Sequence, residues 1–543
     1  MINDKTWLAV TLVASLFAGE SEALSVTNSW TADASGSWNA GANWLSPTPP
    51  GTTDGSATED VAFFTNNITA DCTVAIDAGR KINSMVFRDG STNSPAGWVL
   101  AGNALSVVTN SSGISSIRVE ALALGKSVKL AGLFKLDAIP MYSKWGSGTL
   151  EIPVGGGVLI TNINNIIGIS DGLFHINGGT LTKGNMLCTV NISPSSSGFG
   201  GNGAMLQSGG TVNISSLTVG AKWGVTASYT LTDGTLEVKG TTSSTGGFVV
   251  GSEMAASFMQ SGGTVTVDSV SPVVTAPRIA SVGYYINPTR NLKCSLVMTG
   301  GSFASGFSDE TKTNSLCVGR GAEGIFTVSN DTAVASVRRL IIGDSYTYVG
   351  TGTVNLARGT LRIGGGGAAQ GAGKAFFNFS GGTLAPYNTN TVIGSTTPEN
   401  NFDIAPSGTN AVISSSDKND LGRTLTLYSK LTGTGVTVTF AGSGTNVLAA
   451  SNTYTGNTRV NAGTVQWDYP CLDPASDLSV SNGVTLALNF TGTNTIRKLF
   501  IDGASKAARV YTSSQMPAGV TISGGGALLV TESEWNGTMI RFF

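Results

Sequence analysis

Met205-Leu206-Gln207-Ser208-Gly209-Gly210-Thr211-Val212-Asn213-Ile214 reads as two short strands hinged on a Gly-Gly-Thr corner. The corner recurs as Gly178-Gly179-Thr180, Asp233-Gly234-Thr235, Gly262-Gly263-Thr264, Gly300-Gly301-Ser302, Asn330-Asp331-Thr332, Arg358-Gly359-Thr360 and Gly381-Gly382-Thr383. Successive corners stand 23 to 38 residues apart, 29 on average. Four positions before each corner lies an apolar residue: Phe174, Met205, Tyr229, Phe258, Leu296, Phe326, Val354 and Phe377. Two positions before it, six of eight are apolar, the exceptions being Gln207 and Gln260. Alternation with period two marks a half-buried strand. A second strand follows each corner, as in Leu236 with Val238 and Val265 with Val267.

A third signature falls between corners: Ile166-Ile167-Gly168, Leu217-Thr218-Val219-Gly220, Phe248-Val249-Val250-Gly251, Leu316-Cys317-Val318-Gly319 and Leu340-Ile341-Ile342-Gly343. Two or three short strands per repeat, turned at Gly, Asn, Asp or Ser, predict an all-β chain folded as a right-handed parallel β-helix. Equivalent residues of successive turns would then stack about 4.8 Å apart and share buried area. The widest spacing leaves room for an inserted loop, Gly283-Tyr284-Tyr285-Ile286-Asn287-Pro288. Tyr284 and Tyr285 are its ligand-facing candidates, because insertions are where repeat proteins usually carry function.

Composition narrows the chemistry. Charged residues make up 12% of 543, about half the usual share, and the formal charge is −2. No basic surface of the nucleic-acid-binding kind follows from that balance. The single histidine, His175, excludes a multi-histidine zinc site and would have to serve any serine or cysteine relay. It stands between Phe174 and Ile176, so alternation points it outward, where it is expected to be inert. Cys72, Cys188, Cys294, Cys317 and Cys471 lack CxxC spacing and read as buried thiols. Gly364-Gly365-Gly366-Gly367 is followed by no carboxylate and no Lys-Ser or Lys-Thr, so it is neither a calcium repeat nor a phosphate loop. Ser308-Asp309-Glu310-Thr311-Lys312 and Asp417-Lys418-Asn419-Asp420 read as solvated corner charges. No catalytic residue, metal site or cofactor is assigned.

At the N-terminus, Lys5, the apolar run Trp7 to Ala18 and the small-x-small triplet Ser21-Glu22-Ala23 predict a secretory signal over 1–23, cleaved between Ala23 and Leu24. Twelve apolar residues are too few to span a bilayer, and no other stretch approaches eighteen, so the mature chain is expected to lack an integral membrane domain. Residues 24–110, with Trp30, Trp38, Trp44, Trp98 and the run Ser46-Pro47-Thr48-Pro49-Pro50-Gly51, predict a tryptophan-rich β cap and first turns, since an open apolar end needs covering. The main repeat is assigned to 111–400, and further turns with an end cap to 401–543.

Trp30 through Trp38 to Asn43-Trp44, then Pro49-Pro50 and Asp60-Val61-Ala62-Phe63, is similar to the head of secreted autotransporter-like β-helix proteins. Asn452-Thr453-Tyr454-Thr455-Gly456-Asn457-Thr458-Arg459-Val460-Asn461-Ala462-Gly463-Thr464-Val465 resembles the autotransporter-associated β-strand repeat, with Asn457 where that repeat has a second Gly. Trp145-Gly146-Ser147-Gly148-Thr149-Leu150 and Gly524-Gly525-Gly526-Ala527-Leu528-Leu529-Val530 resemble the Gly-Thr-Leu strands that go with it. The resemblance implies a secreted or surface-displayed passenger and carries over no catalytic residue. On sequence the chain is expected to differ from members that end in a membrane barrel or in a sorting tail.

The expected function is therefore a secreted or surface-displayed structural or adhesive protein. Its expected partners are cell-surface or matrix glycans or neighbouring copies of itself. Two alternatives stay open on sequence: a carbohydrate-active β-helix enzyme, lyase or hydrolase, whose carboxylates meet only in three dimensions, and a glycan-binding module built on Tyr284 and Tyr285.

Overall fold

A computed structural model describes residues 25–534 apart from 57, 90–95, 110–113, 121, 123–124, 138–140, 162–164, 185–187, 193–201, 222–225, 241–246, 270–277, 285–291, 308–314, 346–347 and 398–400. The signal at 1–23, its Ala23–Leu24 cleavage point, Tyr285 and the charges at 308–312 lie outside these residues. Within them the chain is all-β, with no α-helix and one 3-10 turn at Gly41–Asn43.

Nearly all pairing is parallel, and most strands pair with one two or three places further along the chain. Cys72–Ile76 pairs with Trp98–Gly102, which pairs with Ser127–Leu130, then Thr149–Pro153, then Gly172–Asn177. Parallel partners cannot be joined by a tight turn, so the intervening residues must carry the chain round before it pairs with itself again. Among the described residues two strand ladders are antiparallel, near the C-terminal end, Lys498–Ile501 with Ala504–Ser505 and Val510–Tyr511 with Thr521–Val530.

Register makes the repeat physical. Thirteen residues follow one another as direct partners: Cys72, Trp98, Val128, Leu150, Phe174, Met205, Tyr229, Phe258, Leu296, Phe326, Val354, Phe377 and Ile404. All thirteen are buried. The eight apolar residues that precede the Gly-Gly-Thr corners are consecutive members of this column. Each large side chain in it removes apolar surface worth about 1.5–3 kcal/mol from water. Beyond the corner a second buried column runs Leu181, Val212, Leu236, Val265, Phe303, Ala335, Leu361 and Leu384. Beside it the corner threonines stack as Thr180, Thr211, Thr235, Thr264 and Ser302.

Two positions depart from the sequence alignment. After Ser302 the register passes through Val334, not Thr332, before returning to Thr360 and Thr383. Asn330 accepts hydrogen bonds from the Thr332 backbone N and hydroxyl, both at 3.0 Å, and its carbonyl from Ala333 N, so an extra tight turn displaces the corner by two residues. The other departure is Gly283, which belongs to the repeat. Phe248, Ala280, Leu316 and Leu340 are successive partners, and Ala280-Ser281-Val282-Gly283 is the missing third signature. Ala280 hid it, being small where its neighbours are large.

The glutamines that broke the apolar pattern also point inward. Gln207 and Gln260 are fully buried, and their Nε2 groups donate to the corner carbonyls of Gly210 and Gly263 and to Thr235 O and Ser302 O in the next turn. Buried polar side chains are tolerated where they meet backbone groups that the corner would otherwise leave unpaired.

At the N-terminal end Trp30, Trp38 and Trp44 are buried, with ring centroids 5.2–6.1 Å from one another or from Phe64. Trp38 Nε1 donates to Pro50 O at 3.0 Å and Trp44 Nε1 to Trp38 O at 2.7 Å, which draws the proline run over the indoles. Asp60 accepts Val26 N and Gly51 N, both at 2.6 Å, and so fixes both ends of that wrap. In the segment 452–465, Asn452 accepts Leu431 N at 2.8 Å from the preceding turn, and the buried Tyr454 hydroxyl bonds Thr458 Oγ1 at 2.7 Å. Asn494 repeats the first contact on Leu472 N.

Candidate functional site

The outward positions of the first strand column place Lys129, Glu151, His175 and Leu206 in successive register. Alternation faces His175 outward as expected, yet it is half-buried and not isolated. Its Nε2 lies 2.8 Å from Ser208 Oγ. Ser208 donates to Asn177 Oδ1 at 3.2 Å, Asn177 Nδ2 donates to Glu151 Oε1 at 2.9 Å, and Ser127 Oγ donates to Glu151 Oε2 at 2.6 Å. Five residues from four successive turns thus form one hydrogen-bonded line that includes a buried carboxylate.

The polarity of the line limits its chemistry. Ser208 spends its proton on Asn177, so His175 Nε2 is assigned as the donor to Ser208. A nucleophilic serine needs the reverse, a hydroxyl donating to imidazole. The arrangement therefore holds polar groups in place on an open face and does not activate Ser208. Burial alone pushes the Glu151 carboxyl up. The hydrogen bonds from Ser127 and Asn177, with the charges of Lys129 and His175, outweigh it and hold the carboxyl below its ordinary range. Burial pushes the His175 imidazole down, partly opposed by the charge of Glu151.

Tyr284 ends the strand Arg278–Tyr284 and is buried, with the Arg320 guanidinium 5.0 Å from its ring centroid. It belongs to a strand and not to a projecting loop. Asp417, read from sequence as a solvated corner charge, is fully buried. It accepts Asn419 N at 2.8 Å, Leu421 N at 3.1 Å and Arg423 Nε at 2.7 Å. That carboxylate builds the corner. Cys72, Cys294, Cys317 and Cys471 are buried and unpaired with one another, and burial pushes the Cys72 and Cys294 thiols up to about 11, away from nucleophilic reactivity. Among the described residues no three His, Cys, Asp or Glu side chains group as a metal site would.

Ser127, Glu151, Asn177 and Ser208 were not legible as a set. Glu151 and His175 stand one turn apart in the same column, but the corner alignment begins at Phe174, one turn after Leu150. Extending the outward register back through Leu150 would have found the pair. No family profile, no curated protein and no solved structure matches the chain.

Proposed function

We propose that the chain is an exported right-handed parallel β-helix that acts as a structural or adhesive element at the cell surface or in the extracellular matrix. Its contacts would be glycans or neighbouring copies. The observation that carries this reading is the uninterrupted column of thirteen register partners from Cys72 to Ile404. A stack of that length gives a rigid body with a long, regular outer face, whose corner column is rich in threonine hydroxyls. The resemblance of its two ends to autotransporter-like passengers supports the same reading, as does the polarity of the Ser208 line, which suits hydroxyl contacts and not nucleophilic attack.

The test is fractionation of cells producing the native chain, with N-terminal sequencing of the exported pool and protease treatment of intact cells. Material beginning at Leu24 and cleaved from outside is the expected result. Retention in the cytoplasm with Met1 intact would overturn the proposal. A panel of polysaccharides assayed for new reducing ends or unsaturated products should show no turnover. Release abolished by a single Asp or Glu substitution would replace this reading with an enzymatic one.

A further inference from the structure

The glycine run that sequence could only exclude from known motifs has a structural role. Val337 pairs with Ile363 and Arg339 with Gly367, so the single residue Arg338 faces three residues, Gly364, Gly365 and Gly366. The excess forms a bulge, which re-aims the strand and opens its ladder. Beside it lies an open groove of about 440 Å³, lined by Arg339, Gly365–Gly367, Gln370 and Ser395 among others. That volume falls in the range of about 300–1,000 Å³ for small-ligand sites. A Cβ would lie 2.9 Å from Thr389 Oγ1 at Gly365, 2.7 Å from Arg339 Cβ at Gly366 and 2.4 Å from Val392 O at Gly367, so only glycine lets the neighbouring turns approach this closely, and the lining adds an amide, a hydroxyl and one guanidinium.

The charge here is not neutralised. Neither Arg338 nor Arg339 makes an ion pair or side-chain hydrogen bond among the described residues, and Arg338 Nε is buried without a partner. Other cations on the chain are held by carboxylates, among them Arg497 with Asp477 at 2.8 Å and Lys126 with Asp71 at 2.9 Å. The nearby acid Asp417 is already taken by Arg423. On the other side of the bulge Phe307 and Tyr387 stack with ring centroids 3.8 Å apart, and Lys418 Nζ lies 4.4 Å from the Tyr387 ring centroid and donates to its hydroxyl at 3.0 Å. Arg362, two residues before the bulge, donates to Pro386 O and lies within the field of Asp420 and Asp417, so it is not a free cation of the groove. A guanidinium held by no carboxylate, lining a groove that also carries an amide and a hydroxyl, is the kind of group that recognises the carboxylate or sulfate of an acidic sugar.

We propose that the groove at Arg339 and Gly365–Gly367 binds an anionic polysaccharide, the Arg339 guanidinium taking a carboxylate or sulfate and the glycine backbone taking sugar hydroxyls. A nucleic acid would need a continuous basic stripe, which three or four cations in a chain of net charge −2 do not provide. The inference deepens the glycan part of the proposed function and rests on it.

The purified chain is titrated with oligogalacturonate, sulfated dextran, plain dextran and duplex DNA, in parallel with Arg339→Gln and with Arg459→Gln, which alters a distant exposed arginine. The expected result is binding to the carboxylated or the sulfated glycan, whichever the site prefers, weakened about tenfold in Arg339→Gln and unchanged in Arg459→Gln. Matching circular dichroism and melting temperature confirm that Arg339→Gln is folded. Equal binding by Arg339→Gln, equal binding of plain dextran, preference for DNA, or no binding at all would each overturn the groove assignment. Export is measured separately, so a surface-exposed chain that ignores both acidic glycans defeats the groove alone.

Discussion

The Tyr229 hydroxyl donates to Gln207 Oε1 at 2.6 Å inside the apolar interior, linking two adjacent turns of chain. Tyr229 stacks on Met205 in one column, while Gln207 sits two residues further along in the next. Both are fully buried, so neither polar atom has water as a substitute. Gln260 shows the counterpart: its rung is followed by Leu296, which has no hydroxyl, and its Oε1 has no partner among the described residues.

Tyr229→Phe should therefore destabilise the chain by about 1–3 kcal/mol, the cost of leaving a buried acceptor unsatisfied. Denaturant titration of the single variants and of the Tyr229→Phe/Gln207→Leu pair forms a cycle. Coupling near zero would show that the bond contributes nothing.

Phe258 and Met259 are sequence neighbours with opposite fates. Phe258 is 0% exposed, stacked 4.9 Å from Tyr229 and edge-on at 5.1 Å to Phe248, whereas Met259 is 48% exposed. Phe258→Ala should cost about 3–5 kcal/mol and Phe258→Asp should abolish folding. Met259→Ala should stay within about 0.5 kcal/mol. Equal melting temperatures for Phe258→Ala and Met259→Ala would refute the inward register.

Gly210 and Gly435 share a left-handed backbone, φ +70° and +67°, but differ in surroundings. A Cβ on Gly210 would lie 1.9 Å from Gly179 O, while one on Gly435 meets nothing within 4 Å. Gly435→Ala should cost about 1–2 kcal/mol from backbone strain alone. Gly210→Ala should cost clearly more, because the stacked turns must also separate. Thermal melts of the two variants give the comparison.

Acidification should weaken the fold through the His175 line. Burial holds the His175 imidazole below its ordinary 6.5, so the unfolded chain takes up the proton first and stability falls as pH drops through that value. Glu151 is likewise held below 4.5, and its contribution is present above that pH and lost as pH falls through its lower folded value. Denaturation midpoints measured from pH 7.5 to 5 should decline in the parent and flatten in His175→Gln. Parallel curves would show that His175 is not linked to folding.

Sequence alone determined the strand character, the repeat and its inward face. Period-two alternation records burial directly, and a fixed apolar position before each corner can recur only if each turn of chain meets the same neighbours. Phe174 through Phe377 form one column in the structure for that reason. Sequence did not determine which residue lies across from which once a corner changed length. Val334 took the place of Thr332 because Asn330 tightened a turn, and Gly283 was lost behind the small Ala280. The polar groups were hidden more deeply. Glu151, Asn177 and Ser208 belong to different turns, and the glycine bulge opposite Arg338 exists only as a mismatch between two strands. A pattern along the chain encodes which way a side chain faces; what it meets depends on stacking between residues twenty to forty positions apart, and only the tertiary structure sets that.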